Sequence, residues 1–197
     1  MVITYHGDNY FKLVSGETTI LIDPVNLRSL RGANLVISTL HPPLTEIKSG
    51  TEENPSLPFY LSHQGEYEIK GIHVRGWSAG YDAKEKSEQT VYRITVDDLS
   101  IACLGFLKRE PAPNVIGELK GTDIVIVPAS GKPFLSEAQI AKISRQIEPS
   151  IIIPSLTDEP KTFLKEMGVT KKEPDEKLVV KKKDLKPGSL TVVWLKS

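Results

Sequence analysis

Residues 35–46, LVISTLHPPLTE, hold an apolar β-type run that stops abruptly at Leu40-His41-Pro42-Pro43. A strand ending in histidine raises the prospect of a metal ligand or a general base, because strand ends in layered folds present reactive side chains on free backbone. The runs on either side decide how that end is used. VITYH, YFKLV and TTILIDP precede it, with Ser15-Gly16 as the turn between the second and third. LPFYLS, YEIKGIHVRGW, QTVYRITV and LSIACLGF follow, the last two joined by an Asp97-Asp98 hairpin turn. This order predicts a meander of adjacent, mostly antiparallel strands.

Beyond residue 120 the pattern changes. TDIVIVPASG and SIIIPS are continuous apolar runs, as expected of strands covered on both faces. Between them Ser136 and Gln139 form a capping-box pattern, and Ala138, Ile140, Ala141, Ile143 and Ile147 recur near helical spacing before Pro149. A shorter helix is predicted in EPKTFLKEMG, with Pro160 near its first turn and Gly168 past its end. KLVVK reads as an edge strand protected by lysines, and LTVVWL as a final strand. The fold class that follows is α/β (α+β): two β-rich sheets packed together, with helices on outer faces.

Lys plus Arg and Asp plus Glu number 25 each, so no global field draws the chain to nucleic acid or to an anionic membrane. The Lys171–Lys186 stretch is interleaved with Glu173, Asp175, Glu176 and Asp184, which favours a solvated edge over a phosphate-binding patch. A run of 197 residues suits one domain, 1–197. Cys103, the single cysteine, lies in an apolar run and reads as a small buried hydrophobe, which suits a reducing cytoplasm. No basic leader precedes an apolar stretch, and no window nears the roughly 18 apolar residues of a spanning helix. A cytoplasmic location is therefore expected.

Few polar residues stand at strand ends: Asp8, Asn9, Asp23, His41, His63, Glu66, Asp82 and Ser155 to Asp158. Catalytic zinc needs three or more His, Asp, Glu or Cys ligands, and His41 is flanked by Leu40, Pro42, Pro43, Leu44 and Thr45. Its simpler reading is a histidine capping a strand. His6 and His73 read as packed or hydrogen-bonded side chains within strands rather than site residues, and His63, with Gly65 nearby, as a turn histidine able to face a cleft. Asp23 before Pro24 is expected to accept hydrogen bonds from turn amides. Ser130 and Ser155 lack the G-x-S-x-G elbow and read as turn serines.

Taken in order, ITYHGDNYFKL, TTILIDP, ANLVIST, GEYEIKGIHVRG, TVYRITVDDLSIACLGFL, TDIVIVPASG and IEPSIIIPS resemble metallo-β-lactamase-fold hydrolases, in the branch similar to L-ascorbate-6-phosphate lactonase. The resemblance spans about residues 1 to 157. It implies a four-layer αββα sandwich and a metal-activated water. It also implies a departure. Where the family carries H-x-H-x-D-H, a gapless match puts Leu40, Pro42, Leu44 and Thr45, and a one-residue slip recovers only His41. The family's bridging aspartate falls on Phe106, its last histidine on Leu156, and the histidine of its N-terminal Gly-His pair on Asp8. Gly7, Asp23, Pro24, Gly65, Glu66, Tyr67, Gly71, Gly105 and Pro154 keep motif positions.

The resemblance thus implies a degenerate member with no resident metal, in which Leu40, Leu44, Phe106 and Leu156 plug the former cleft. Such a protein would bind, regulate or assemble, with an unidentified protein or small molecule as partner. In an assembly role, pairing with an active relative or with itself as a homo-oligomer, Trp77, Tyr81 and Tyr60 would be the anchors. The alternative is an enzyme with a relocated site at Asp8, Asp23, His41 and His63, using zinc or manganese on a lactone or phosphoester.

Overall fold

The structure is a computed structural model that describes residues 1–45, 49–50, 57–186 and 188–197. Alternation of buried and open positions builds the first sheet from β1 (Val2–Tyr5), β2 (Phe11–Ser15), β3 (Thr18–Ile22), β4 (Leu35–Ile37) and β6 (Phe59–Leu61), in that order. β13 (Leu178–Val179) closes the β1 edge. The second sheet runs β14-β12-β11-β10-β9-β8-β7. Its members are β7 (Gly65–Ile69), β8 (Ile72–Asp82), β9 (Ser87–Val96), β10 (Leu99–Cys103), β11 (Ile124–Pro128), β12 (Ile151–Ser155) and β14 (Thr191–Val192).

The antiparallel meander holds for β1-β2-β3 and for β7-β8-β9-β10, but β3-β4 and β4-β6 are parallel. The connections into β4 and β6 are long enough to return the chain to the same end, which a tight hairpin cannot do. The expected Asp97-Asp98 turn joins β9 to β10, both residues having positive φ (48° and 64°).

β10, β11 and β12 are buried at every residue, as their continuous apolar runs predict. Ile101, Cys103, Ile124, Ile126 and Ile153 face the first sheet and join Ile3, Phe11, Leu13, Ile20 and Ile37 in the main core. Ala102, Val125, Val127 and Ile152 face the other way, onto Val115 and Leu119 of α1 (Pro113–Leu119), Ile140, Ile143 and Ile147 of α2 (Glu137–Ile147), and Phe163 of α3 (Lys161–Glu166). All three α-helices of the described residues therefore contribute to the layer over the second sheet. On the outer face of the first sheet, Tyr10, Leu21 and Val36 pack with Leu30, which ends a 3-10 turn (Leu27–Leu30), and with Ala33 and Tyr60.

The C-terminal segment joins both sheets: β13 pairs with β1, its Val179 exposed as the lysine-flanked edge reading requires, and β14 pairs in parallel with β12. An ion pair absent from the sequence reading also ties it down. Lys182 Nζ donates to both oxygens of the buried Asp123 carboxylate (2.8 and 2.7 Å), which also accepts from the Ser100 amide (2.9 Å).

The capping box on α2 is present: the Gln139 amide donates to Ser136 Oγ (3.4 Å), and the Ser136 amide donates to Gln139 Oε1 (3.1 Å). Replacing Ser136 with Ala should lower stability by about 1 kcal/mol, read from the shift in urea midpoint at an unchanged slope.

Candidate functional site

The apolar run that opens this account does not continue as one strand. β4 ends at Ile37, and after Ser38 and Thr39 the chain enters β5 (Leu40–His41), which pairs with β9 in the second sheet, Leu40 opposite Gln89 and His41 opposite Glu88. Thr39 is the crossing point. Its amide donates to Asp23 Oδ1 (2.7 Å) and its hydroxyl to Asp23 Oδ2 (2.6 Å), while its carbonyl accepts from the Thr90 amide of β9 (2.9 Å). One residue thus carries a bond to each sheet.

Asp23 leaves β3 with φ 45° and is buried. Asn9 Nδ2 donates to its Oδ2 (2.6 Å), and Ser38 Oγ lies 3.1 Å from its Oδ1. The Ser38 hydroxyl has one proton, shared between Asp23 Oδ1 and the closer Leu40 carbonyl (2.8 Å). Burial pushes the Asp23 carboxyl above its ordinary value, opposed by the hydrogen bonds from Thr39, Asn9 and Ser38. The expectation that Asp23 receives turn hydrogen bonds holds, and the donor is the turn that crosses between sheets.

His41 and His63 meet, with ring centroids 4.2 Å apart and planes at 46°. His63 Nδ1 lies 2.9 Å from Ser62 Oγ, and the His63 carbonyl accepts from the Tyr92 hydroxyl of β9 (3.1 Å). His41 Nδ1 is buried without a hydrogen-bond partner among the described residues. Two imidazoles at this distance can exchange a proton with a bound molecule, so acid–base chemistry is within their means. Asp8 stands apart from this pair in its contacts. Its side chain is exposed, and its carbonyl accepts from the Leu156 amide (2.6 Å) and the Tyr5 hydroxyl (2.9 Å). Burial, then the charges of Asp158 and Asp8, pushes the Tyr5 phenol up to about 12.

Among the described residues, no three His, Cys, Asp or Glu side chains are grouped so as to hold a metal ion. Phe106 is buried against Phe134 (centroids 5.8 Å), and Leu40 and Leu156 are half-buried. Leu44 is 53% exposed, so it plugs nothing; past the His41–Pro42 turn the chain turns it out to solvent. His6 is exposed beyond the end of β1 but lies within hydrogen-bonding distance of the Thr4 hydroxyl (Nε2 to Oγ1, 3.1 Å) and against the Tyr10 ring (centroids 4.7 Å), as a packed or hydrogen-bonded side chain should. His73 lies on an open face of β8, 3.7 Å from Glu68, and is not packed inside.

Ser155 is not a turn serine: it ends β12 and its Oγ donates across the sheet to the Val127 carbonyl of β11 (3.1 Å), while Ser130, just past β11, has its Oγ buried without a partner among the described residues. Cys103 is buried, and burial drives its thiol far above its usual range, which removes it as a nucleophile. Of the aromatic anchors, Tyr81 is 55% exposed, Trp77 packs on the helix-side core with Arg75 5.0 Å above its ring, and Tyr60 joins the outer cluster of the first sheet.

Residues 2–155 match the family model of the β-lactamase superfamily domain, and the chain belongs to that family. Among solved structures it is similar to a metallo-β-lactamase superfamily protein from Thermotoga maritima, 18% identical with a TM-score of 0.72 over 99% of each chain. It is also similar to Igni18, described as a novel metallo hydrolase from the archaeon Ignicoccus hospitalis: 15% identity, TM-score 0.63, 91% of this chain and 99% of that one. A third is an isothiocyanate hydrolase from Delia radicum gut bacteria, at 13% identity and TM-score 0.62, over 86% and 93% of the two chains. No curated protein matches it. These likenesses establish the metallo-β-lactamase-like sandwich. No helix of the described residues is long and apolar enough to cross a membrane.

Sequence reasoning named Asp23 and His41 but missed Thr39, whose role depends on a strand switch that a threonine does not announce. Gly105 shows the same dependence. It sits at φ 59°, and a Cβ there would collide with the Thr39 side chain. Gly105→Ala should therefore lower stability by about 2 kcal/mol or more, by steric overlap and backbone strain together, measured by denaturant unfolding.

The raised Asp23 pKa has a definite sign in stability. Below about pH 4 both folded and unfolded chains hold this proton; as the pH rises toward the folded value, only the fold retains it. Asp23's contribution is thus complete at low pH and is lost as the pH rises through the folded value. Unfolding free energy should fall over that window relative to Asp23→Asn, compared by urea titration at successive pH values.

Proposed function

We propose that this chain is a non-catalytic member of the metallo-β-lactamase fold, closest in its motifs to the ascorbate-6-phosphate lactonase-like branch, that keeps the scaffold for binding, regulation or assembly. The observation that supports this reading is the end of β4, where the described residues bring His41 against His63 without grouping a third ligand beside them. Asp23 keeps a motif position rather than a ligand position, and its carboxylate accepts from Thr39, Asn9 and Ser38. A catalytic zinc site takes three protein ligands with a fourth position open, and no such set exists among the described residues. The donor set at this end does not fit a resident divalent ion. Leu40, Pro42, Leu44, Thr45, Phe106 and Leu156 at the family's ligand positions give the same reason residue by residue.

One observation favours the competing reading of a hydrolase for lactones or phosphoesters with a relocated site at Asp8, Asp23, His41 and His63: the contact of His41 with His63. In that reading zinc or manganese would be the cofactor. Against it, Asp23 is occupied and Asp8 is exposed with its carbonyl bound elsewhere. The partner of the non-catalytic protein would be another protein, a second copy through Tyr81, or a small molecule, in the cytoplasm.

Elemental analysis of protein purified without chelator decides between the two. The non-catalytic reading expects zinc, manganese and iron far below one ion per chain, and no phosphodiesterase or lactonase turnover. One tightly held ion per chain, with turnover lost in both His41→Ala and His63→Ala, would establish the hydrolase instead.

A further inference from the structure

A groove of about 830 Å³ lies between α3, residues 168–173 that follow it and Trp194 beyond the last strand, sharing no lining residue with the His41–His63 end. Trp194 and Leu164 give it an apolar wall, and Lys161, Lys165, Lys171 and Lys172 line it. Two of these lysines are neutralised: Lys161 by Glu159 (2.6 Å) and Lys172 by Asp175 (3.1 Å). Lys165 and Lys171 have no acidic partner among the described residues, and Glu173 is the single acid in the lining. The Trp194 indole N–H is buried with no acceptor among the described residues, although its side chain lines the groove.

Two exposed lysines without acidic partners beside an apolar wall favour a ligand that is both anionic and apolar. We propose that this groove binds a small organic anion with a flat apolar body. The ring system stacks on Trp194 and Leu164, and the anionic group is met by Lys165 and Lys171. The lysine-rich stretch from Lys171 thus does two jobs. Lys182 ties the C-terminal segment to Asp123, while Lys171 and Lys172 face the groove. The proposal is independent of the fate of the former metal end.

The chain has two tryptophans, so Trp77→Phe leaves Trp194 as the sole indole. Titrating that variant with 1-anilinonaphthalene-8-sulfonate should give saturable energy transfer from Trp194 at one dye per chain. Adding Lys165→Glu and Lys171→Glu should weaken binding at least tenfold, with the circular dichroism spectrum and melting temperature unchanged. The uncharged N-phenyl-1-naphthylamine should bind the unreversed protein at least tenfold more weakly than the sulfonate. Absence of saturable transfer, equal binding of the neutral dye, or affinity untouched by the charge reversal in folded protein would overturn the proposal. If the double reversal fails to fold, the comparison of charged and neutral dyes decides alone.

Discussion

The buried tie between Asp23 and Thr39 is the constraint on which the rest of this molecule depends. Two sheets packed face to face are held by a non-directional apolar core, which fixes their separation better than their register. Thr39 supplies direction. It is bonded through its amide and hydroxyl to the exit of β3 and through its carbonyl to β9, so the ends of the sheets meet at one defined place. The Tyr92 hydroxyl repeats the link by donating from β9 to the loop after β6. Gly105 is required beside it because no side chain fits against Thr39 there.

That constraint shapes the chemistry available. In this chain, hydrogen bonds to a single carboxylate do the holding, and burial of that carboxylate favours its protonated form. What remains of reactive character is a pair of imidazoles, one half-buried with an unpartnered Nδ1 and the other exposed. The surrounding positions are apolar or proline, with Phe106 folded into the wall and Leu44 turned to solvent.

Much of the fold was legible in the residues because the physical signals are local. Period-two alternation, continuous apolar runs, the Asp97-Asp98 turn and the Ser136–Gln139 cap each act within a few residues and each appears where expected. The parallel pairing of β3, β4 and β6 was not legible, since direction is set by the length and path of connections rather than by the strands themselves. At the site, the approach of His41 to His63 and the burial of Asp123 under Lys182 join residues far apart in sequence, and no spacing rule reports such pairs.

The sequence by itself determined which segments become strands and helices, and that Cys103 is a packing residue. These are properties of side-chain chemistry and short-range pattern. Only the tertiary structure decided that the apolar run ending at His41 breaks at Ser38 and finishes in the opposite sheet, that Asp23 is occupied by its neighbours, and that unpaired lysines gather beside Trp194. Those outcomes depend on which distant groups packing brings within hydrogen-bonding or Coulombic reach, and that proximity comes into being only when the two sheets close on each other.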